Sequence, residues 1–489
     1  MKVKLVAILC AALLAACTLD PAYQRPASPV AAAWPTSSAG AASAGASAAA
    51  AASAPDAASG VAATTPLGAD TGWRDFFKDP RLQHLIELAL ANNRDLRVAA
   101  LDVAEYEAKY GIARANLGPT IDVSASSTRE REAGYGESLS SSSVGLGFSS
   151  WEVDFFGRLR SLKRQALEEY LSTDAARTST QISLVATVAT DYLQLLSDEE
   201  LLKITSDTVD ADRSTFELTQ SEMKIGSASL QDVRSAENSL ASARANVASY
   251  TRAVQQDRNN LEVEIGCPLP DDLVQNGSLT QSVGMLTDIG PGVPSDLLTR
   301  RPDIVEAEHT LKSANANIGA ARAAFFPKIE LTASAGSSSS SLSGLFKAGT
   351  GAWEFAPSVT IPIFDWGYNK STLDVAKIEK NIDIADYEKA IQTAFKEVAN
   401  ALAGRATYVS QVDADRDYVR SAQQYDDLAQ ARYRQGTDSF LTLLDAQRTL
   451  YTAQQQLVTD TLSQQSNLVT LYKVLGGGWS EQTVTAKQP

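Results

Sequence analysis

Two segments of the chain alternate apolar and small polar side chains at every second position. The first reads IDVSAS from Ile121 and the second reads IELTAS from Ile329. A period of two is that of a strand with one apolar face and one wet face. A turn and a second Ser/Gly-rich segment follow each, so the sequence predicts β-hairpins over 119–155 and 327–364. Strands of ten or more residues suit a tilted membrane-spanning strand.

Large aromatic residues gather toward the ends of the predicted strands. They are Trp151, Phe155, Trp353, Phe364 and Trp366. Packing in a soluble core is the plain interpretation of such residues. An interfacial aromatic girdle fits their positions better, because aromatic side chains are enriched at the membrane–water interface of transmembrane β-barrels.

The rest of the chain is patterned for helices. Helices of about two dozen residues are predicted over Asn93–Asn116 and Pro302–Ala324, each before a proline. After each hairpin, helical sequence continues for about 65 residues, roughly 100 Å, as far as Gly226 or Gly436. Returning helices of about 37 residues then end at Gly266 and Gly476.

The returning helices carry a heptad stripe. Leu240, Val247, Val254 and Leu261 recur every seven residues, and the later copies are Leu450, Leu457, Gln464 and Leu471. This spacing predicts left-handed coiled-coil packing. Because the other faces are mostly polar, the helices are expected to form a hollow wall rather than a solid core.

The two halves of the body are copies of one unit. Gly226 and Gly436 are separated by 210 residues, whereas GIARANLGP at Gly111 and GAARAAFFP at Gly319 are separated by 208. A repeat of about 200 residues indicates a tandem duplication rather than a solenoid. Each position in one copy can therefore be compared with its counterpart in the other.

The N-terminus reads as an export signal. Lys2 and Lys4 precede a short apolar run that ends in Leu-Ala-Ala-Cys at Cys17. This pattern predicts a signal peptide over residues 1–16 and lipidation of Cys17; a plain secretory signal ending in cysteine is the alternative. Residues 27–68 are nearly all Ala, Ser, Pro, Gly and Thr, a composition expected of a flexible tether.

Composition argues against several classes of function. The net charge of −15 disfavours a nucleic-acid partner, and the only two histidines, His84 and His309, lie far apart. The sequence contains no nucleotide-binding or hydrolase motif in a suitable structural context. Cys267 would be the single cysteine left after export and lipidation. The sequence thus predicts a protein without enzymatic activity, metal or cofactor.

Four amphipathic strands per chain require oligomerisation. An open strand edge in a membrane leaves unpaired backbone groups, each costing several kcal/mol. Two chains would give eight strands with a filled interior, and three chains would give twelve with room for water. We therefore expect a homotrimeric twelve-stranded β-barrel, continuous with a long α-helical tube.

The chain resembles the TolC family of outer-membrane efflux proteins, in its OprM-like lipoprotein branch. The residues that carry the resemblance are CTLDPAYQRP, WRDFFKDPRLQHLIELALANNRDL, ARANLGP, RRPDIVEAEHTL, IPIFDWGYNK, RYRQGTDSFLTLLDAQRTLYTAQQQL and LYKVLGGGW. The resemblance implies an α+β membrane protein with a mixed equatorial belt. It also implies a periplasmic adaptor and an inner-membrane RND transporter as partners, with drugs and small toxic compounds as cargo.

Repeat and resemblance together divide the chain. The segments are the signal peptide 1–16, the lipidated N-terminus and tether 17–72, the first repeat 73–275 with helix pair 157–266, the equatorial linker 276–299, the second repeat 300–478 with helix pair 367–476, and the tail 479–489.

The resemblance places a periplasmic gate just after the second glycine turn, at Leu441, Asp445 and Arg448. These residues lie three or four apart, on one helical face. Three copies of the leucine could form an apolar constriction and three of the aspartate a charged ring, while the arginine could hold a neighbouring carboxylate through two hydrogen bonds. The plain alternative is a solvated flank with a weak Asp–Arg pair.

The first repeat lacks these residues. Its counterparts are Gln231, Ser235 and Asn238. A motif that served only to start a helix would tolerate the same residues in both copies, so the divergence favours a gate in the second repeat alone. Gly226 and Gly436 are predicted to be the helix-tip turns, and Asp232 and Arg234 to be adaptor contacts or surface charges.

Two further functions fit parts of the sequence. The same architecture could be a duct for type I protein secretion. A lipid-anchored structural coiled coil spanning the periplasm is less compatible with two hairpins of long alternating strands.

Overall fold

The computed structural model describes residues 19–31, 34, 70–131, 138–270, 278–280, 286–287, 289–290 and 297–483. The signal peptide and Cys17 lie outside the described residues, as do most of the tether and parts of the linker and tail. The chain divides into two compact units. Unit 1 comprises residues 1–28, 100–175 and 305–390, and unit 2 comprises 29–99, 176–304 and 391–489.

Unit 1 contains a four-stranded antiparallel sheet. Its strands are β1 (Asp122–Glu130), β2 (Leu139–Glu152), β3 (Lys328–Ser339) and β4 (Gly351–Thr360), in the order β1-β2-β3-β4. The sheet joins the two repeats, because β2 of the first hairpin pairs with β3 of the second. Every residue of β1 and β4 is exposed in the single chain.

The strands are shorter than the alternation predicts. Those of the first hairpin begin at Asp122 and end at Glu152 rather than at Pro119 and Phe155, and β4 ends at Thr360 rather than Phe364. The β3–β4 ladder stops where Lys328 meets Thr360, and Pro362 just beyond has no N–H to continue it. Phe155, Phe364 and Trp366 therefore lie in the segments that connect strands to helices.

The helices agree with the predicted ones to within about two residues at most ends. A short helix α1 (Trp73–Phe76) precedes α2 (Pro80–Asn92), and a single turn α6 (Leu297–Arg300) opens the second repeat. The remaining helices form matched pairs in the two repeats: α3 (Arg94–Ala115) with α7 (Pro302–Ala323), α4 (Arg158–Lys224) with α8 (Tyr368–Arg434), and α5 (Leu230–Ile265) with α9 (Phe440–Val474). Within the described residues, no helix is both long enough and apolar enough to cross a membrane.

The heptad stripe is more deeply buried in the first repeat than in the second. Leu240, Val254 and Leu261 of α5 are buried, with Val247 packed beside them. In α9, Leu450, Leu457 and Gln464 are half-buried and Leu471 is buried, while another buried line runs through Ala446, Ala453 and Asp460. The two returning helices therefore present different faces to their neighbours, although the sequence spacing is the same.

The main aromatic cluster of unit 2 surrounds Tyr472. Its ring stacks on Phe76 at 4.0 Å between centroids, and its hydroxyl donates to the Thr71 carbonyl at 2.7 Å. Nearby, the buried Arg301 guanidinium bonds Asp303, Glu397 and the Val474 carbonyl. These contacts hold residues 71–76 and Arg301 against the C-terminal end of α9.

Candidate functional site

The two glycine turns have the same backbone geometry. Gly226 and Gly436 have φ values of +81° and +72°. In each turn the glycine N–H bonds the carbonyl three residues back, and the next N–H bonds the carbonyl five residues back, at 2.8–3.0 Å. This is the Schellman arrangement, which satisfies the last carbonyls of a helix and favours glycine at the left-handed position. Both turns are where the sequence predicted them.

Only the second turn is closed by an ion pair. Arg432 donates from Nε and Nη2 to the two carboxylate oxygens of Asp438, at 2.8 and 2.9 Å. The first repeat has Glu222 and Ala228 at these positions. Glu222 instead accepts a hydrogen bond of 2.5 Å from the Tyr433 hydroxyl. This bidentate pair lies across the turn from Arg448, the residue for which the sequence predicted such a bond.

Leu441, Asp445 and Arg448 lie on the exposed face of the first turns of α9. Ser439 caps the helix by accepting from the Thr442 N–H, which fixes the face that these residues share. Leu441 is 71% exposed. Its neighbour Leu444 turns inward and packs with Phe440 against Ala236 of α5.

The two charged residues make single contacts with different helices. Asp445 accepts from the Tyr425 hydroxyl of α8 at 3.4 Å, a long hydrogen bond. Arg448 donates to Ser239 Oγ of α5 at 3.1 Å, across to the first repeat. Within the single chain Arg448 bonds this hydroxyl, and its bidentate bond to a neighbouring carboxylate stays a prediction. The exposed face thus links three helices through contacts that are individually weak.

A cavity of about 300 Å³ lies beside Arg448. It is lined by residues of α4, α5 and α9, among them Asp212, Asn238, Ser239, Leu444, Arg448 and Tyr451. Burial raises the pKa of Asp212 to about 6, and the positive charge of Arg448 opposes that rise. Asp212 lies on a face of α4 rich in threonine, and the sequence offered no signal for its proximity to Arg448.

The charged residues after the first turn have local structural roles. The Asp232 carboxylate accepts from the Ser229 N–H while Ser229 Oγ accepts from the Asp232 N–H, which makes a capping box. Arg234 pairs with Glu237 one turn along α5, at 2.5 Å. Both pairs are exposed, so the side chains remain available for a protein partner.

The predicted girdle residues differ in exposure. Trp353, Phe364 and Trp366 are strongly exposed, and Phe155 is 37% exposed. Trp151 is half-buried, because a bulge between Phe148 and Trp151 re-aims the strand. Its indole N–H donates to the Leu117 carbonyl at 3.2 Å.

Two pairs of carboxyl groups lie between outgoing and returning helices of unit 2. Asp198 of α4 faces Asp257 of α5, and Asp415 of α8 faces Asp460 of α9. Burial and the neighbouring Asp198 carboxyl raise the pKa of Asp257 to about 7, and Asp191 adds to the rise. Asp198 is itself buried and accepts from Gln194 at 3.0 Å.

We expect Asp257→Asn to stabilise the protein at pH 8 and to have little effect at pH 5. The folded pKa of Asp257 lies above its unfolded value, so its favourable contribution is present at low pH and is lost as the pH rises through about 7. Asparagine keeps a hydrogen-bond donor toward Asp198 without the repulsion. Because Asp257 is partly exposed, we expect a gain of about 1–2 kcal/mol at pH 8, measured as the thermal midpoint in detergent. Asp210→Asn, at an exposed site on α4, is the control; unchanged pH dependence in Asp257→Asn would contradict the raised pKa of Asp257.

Comparisons with known proteins agree on one family. The sequence profile described as "Outer membrane efflux protein" matches residues 85–266 and 293–477. "Probable efflux pump outer membrane protein TtgC" of Pseudomonas putida is 47% identical over 482 residues, covering 97% of this chain and 96% of its own. "Solvent efflux pump outer membrane protein SrpC" of Pseudomonas putida is 45% identical over 485 residues, covering 98% of this chain and 99% of its own.

A solved structure supports the same assignment. The open state of the MtrE outer membrane channel of Neisseria gonorrhoeae superposes with a TM-score of 0.84 at 39% identity. The match covers 96% of this chain and 100% of that one.

Proposed function

Because this chain belongs to the outer membrane efflux protein family, we propose that it is the outer-membrane channel of a tripartite multidrug efflux system. It would receive drugs and other small toxic compounds from a periplasmic adaptor and an inner-membrane RND transporter, and conduct them passively to the exterior. The relatives' names refer to efflux of toluene, solvents and antibiotics. We infer small, largely apolar cargo for this chain.

The observation that carries the proposal is the open sheet of unit 1. In the described part of the chain, β1 and β4 are each paired along one edge only. Val123, Leu139, Leu146, Trp353, Phe355 and Val359 of the sheet expose large apolar side chains. Such a sheet is unfavourable in water and, with open edges, unfavourable in lipid. Pairing β4 of one copy with β1 of the next satisfies both edges.

Three copies give the proposed barrel. Twelve strands leave room for water inside, whereas eight strands would be filled by side chains. The apolar face would meet lipid, with Trp353, Phe364 and Trp366 supplying part of the girdle at the interface. Lipidation of Cys17 would add an anchor in the outer membrane.

The second repeat would supply the gate. Leu441, Asp445 and Arg448 are exposed in the single chain and face away from the Leu444 cluster. In a trimer, three exposed leucines can narrow and dewet a passage, and three aspartates can add a charged ring. Gly226, Gly436, Asp232 and Arg234 at the turns would contact the adaptor.

Conductance in planar lipid bilayers tests the proposal. The purified full-length protein is expected to form channels, and deletion of its gene is expected to increase sensitivity to small apolar toxicants. Restoring the gene should restore tolerance. If neither the wild type nor the double variant Asp445→Ala with Arg448→Ala conducted ions, a channel function would be contradicted.

A further inference from the structure

The segment Leu19–Pro26, just after Cys17, lies along one face of α7. Arg322 donates to the Leu19 carbonyl at 3.0 Å, and Asn315 donates to the Pro21 carbonyl at 2.8 Å. Farther along, the Tyr23 hydroxyl donates to Glu308 at 3.2 Å. The contacted helix positions are 308, 312, 315, 319 and 322, which are spaced by four and three and so share one face.

The segment runs antiparallel to the helix and matches its length. Six residue steps from Leu19 to Arg25 span about 20 Å when extended, and the fourteen steps from Glu308 to Arg322 span about 21 Å of helix. Pro21 and Pro26 favour an extended chain, because their rings fix φ and disfavour a helix in the residue before them. The segment therefore loses little conformational entropy when it binds.

A polar cluster around Glu308 binds the Arg25 end of the segment. Arg25 donates from Nε and Nη2 to the two carboxylate oxygens of Glu308, at 3.2 and 2.5 Å. Glu308 is 5% exposed, and Lys312 bonds it at 3.2 Å while lying over the Tyr23 ring. Burial alone would raise the pKa of Glu308, but the bonds from Arg25 and Lys312 outweigh it and keep the pKa below its usual range. The carboxylate is therefore held charged for Arg25.

Asp20 fills a space that exists because residue 319 is glycine. A Cβ added to Gly319 would overlap the Asp20 carboxylate. That carboxylate also accepts from Ser161 Oγ and pairs with Arg164, both on α4. The segment is thus bound where α7 and α4 meet, within unit 1.

The first repeat does not offer this surface. At the offset of 208, its counterparts of Glu308, Lys312 and Asn315 are Ala100, Ala104 and Glu107. Gly111 corresponds to Gly319, yet among the described residues no atom lies within 4 Å of its added Cβ. The site is therefore specific to the second copy.

We propose that this face of α7 is a docking site for the mature N-terminus of the same chain, and that it fixes the lipid anchor beside the base of β3. The anchoring role rests on the proposed lipidation of Cys17. Cys17 is two residues from Leu19, at most about 7 Å of chain. Arg322, which holds Leu19, is six residues before Lys328, where β3 begins. The tether beyond Pro26 then does not set the position of the anchor.

Chymotrypsin cleavage after Tyr23 tests the docking in the purified full-length protein. Docking should protect this bond, so Arg25→Glu and Glu308→Arg should each speed the release of the N-terminal peptide by about tenfold. The double variant Arg25→Glu with Glu308→Arg should return the rate to within about twofold of wild type. Equal rates in all four proteins would overturn the proposal.

A second pair of variants tests the glycine. Gly319→Val should speed release, because Asp20 must leave, whereas Gly111→Val should not. Adding Gly319→Val to Asp20→Ala should have a smaller effect than Gly319→Val alone; full additivity would contradict the contact. The mass of the released peptide reports lipid on Cys17 separately. A protected but unlipidated peptide would remove the anchoring role and leave the docking site intact.

Discussion

Replacing Asp445 and Arg448 together with alanine is expected to raise channel conductance several-fold and to sensitise cells to large antibiotics. Each chain loses the contacts of Asp445 with Tyr425 and of Arg448 with Ser239. In a trimer, three copies of each contact disappear together. We expect their combined loss to shift a two-state closure toward the open state. Single-channel recording in planar bilayers measures the change.

The first repeat supplies the matched control. Ser235→Ala with Asn238→Ala changes the counterpart positions of the same fold, next to the same cavity. We expect it to leave conductance close to wild type. Equal opening by both double variants would show that the second repeat has no special role.

Leu441→Ser should add to the opening by Asp445→Ala, because it removes the apolar part of the constriction.

The glycine turns and helix ends were predictable, because their signals are local. Gly226 and Gly436 take the left-handed conformation that glycine permits, and the prolines after α3 and α7 prevent those helices from continuing. The tandem repeat helped, since each element could be recognised twice. The two hairpins followed from alternation in the first strand of each together with the turn and the Ser/Gly-rich segment after it.

The partners of the gate residues were not predictable, because they come from distant parts of the chain. Arg448 reaches Ser239 across 209 residues, and Asp212 reaches the same cavity from a third helix. No periodicity within α9 encodes which neighbour lies opposite. The buried line of α9 is likewise displaced from the heptad copied from α5, because burial depends on the helices packed around it. The N-terminal docking site was missed for the same reason: Asp20 and Gly319 are adjacent only after folding.

Alanine at Gly266 is expected to destabilise the protein by about 2–4 kcal/mol, against about 1–2 kcal/mol at Gly226. Both glycines follow the last residues of long helices. Their own backbones are in the left-handed region, at φ +69° and +81°. Each substitution therefore carries the backbone cost of a left-handed alanine, about 1–2 kcal/mol. At Gly266, the new Cβ would also lie 2.5 Å from the Asn92 carbonyl oxygen, a backbone atom at the end of α2. Forcing these backbones apart adds a packing cost of similar size.

The second repeat allows the comparison to be made twice. Gly476 corresponds to Gly266, and its added Cβ would lie 2.8 Å from the Arg300 carbonyl oxygen. Gly436 corresponds to Gly226, and both have open space around the added Cβ within the described structure. Thermal midpoints in detergent should therefore fall most for Gly266→Ala, somewhat less for Gly476→Ala, and least for the two turn variants. If all four midpoints fell equally, the left-handed backbone alone would explain the glycines, and the contacts with α2 and α6 would contribute nothing to stability.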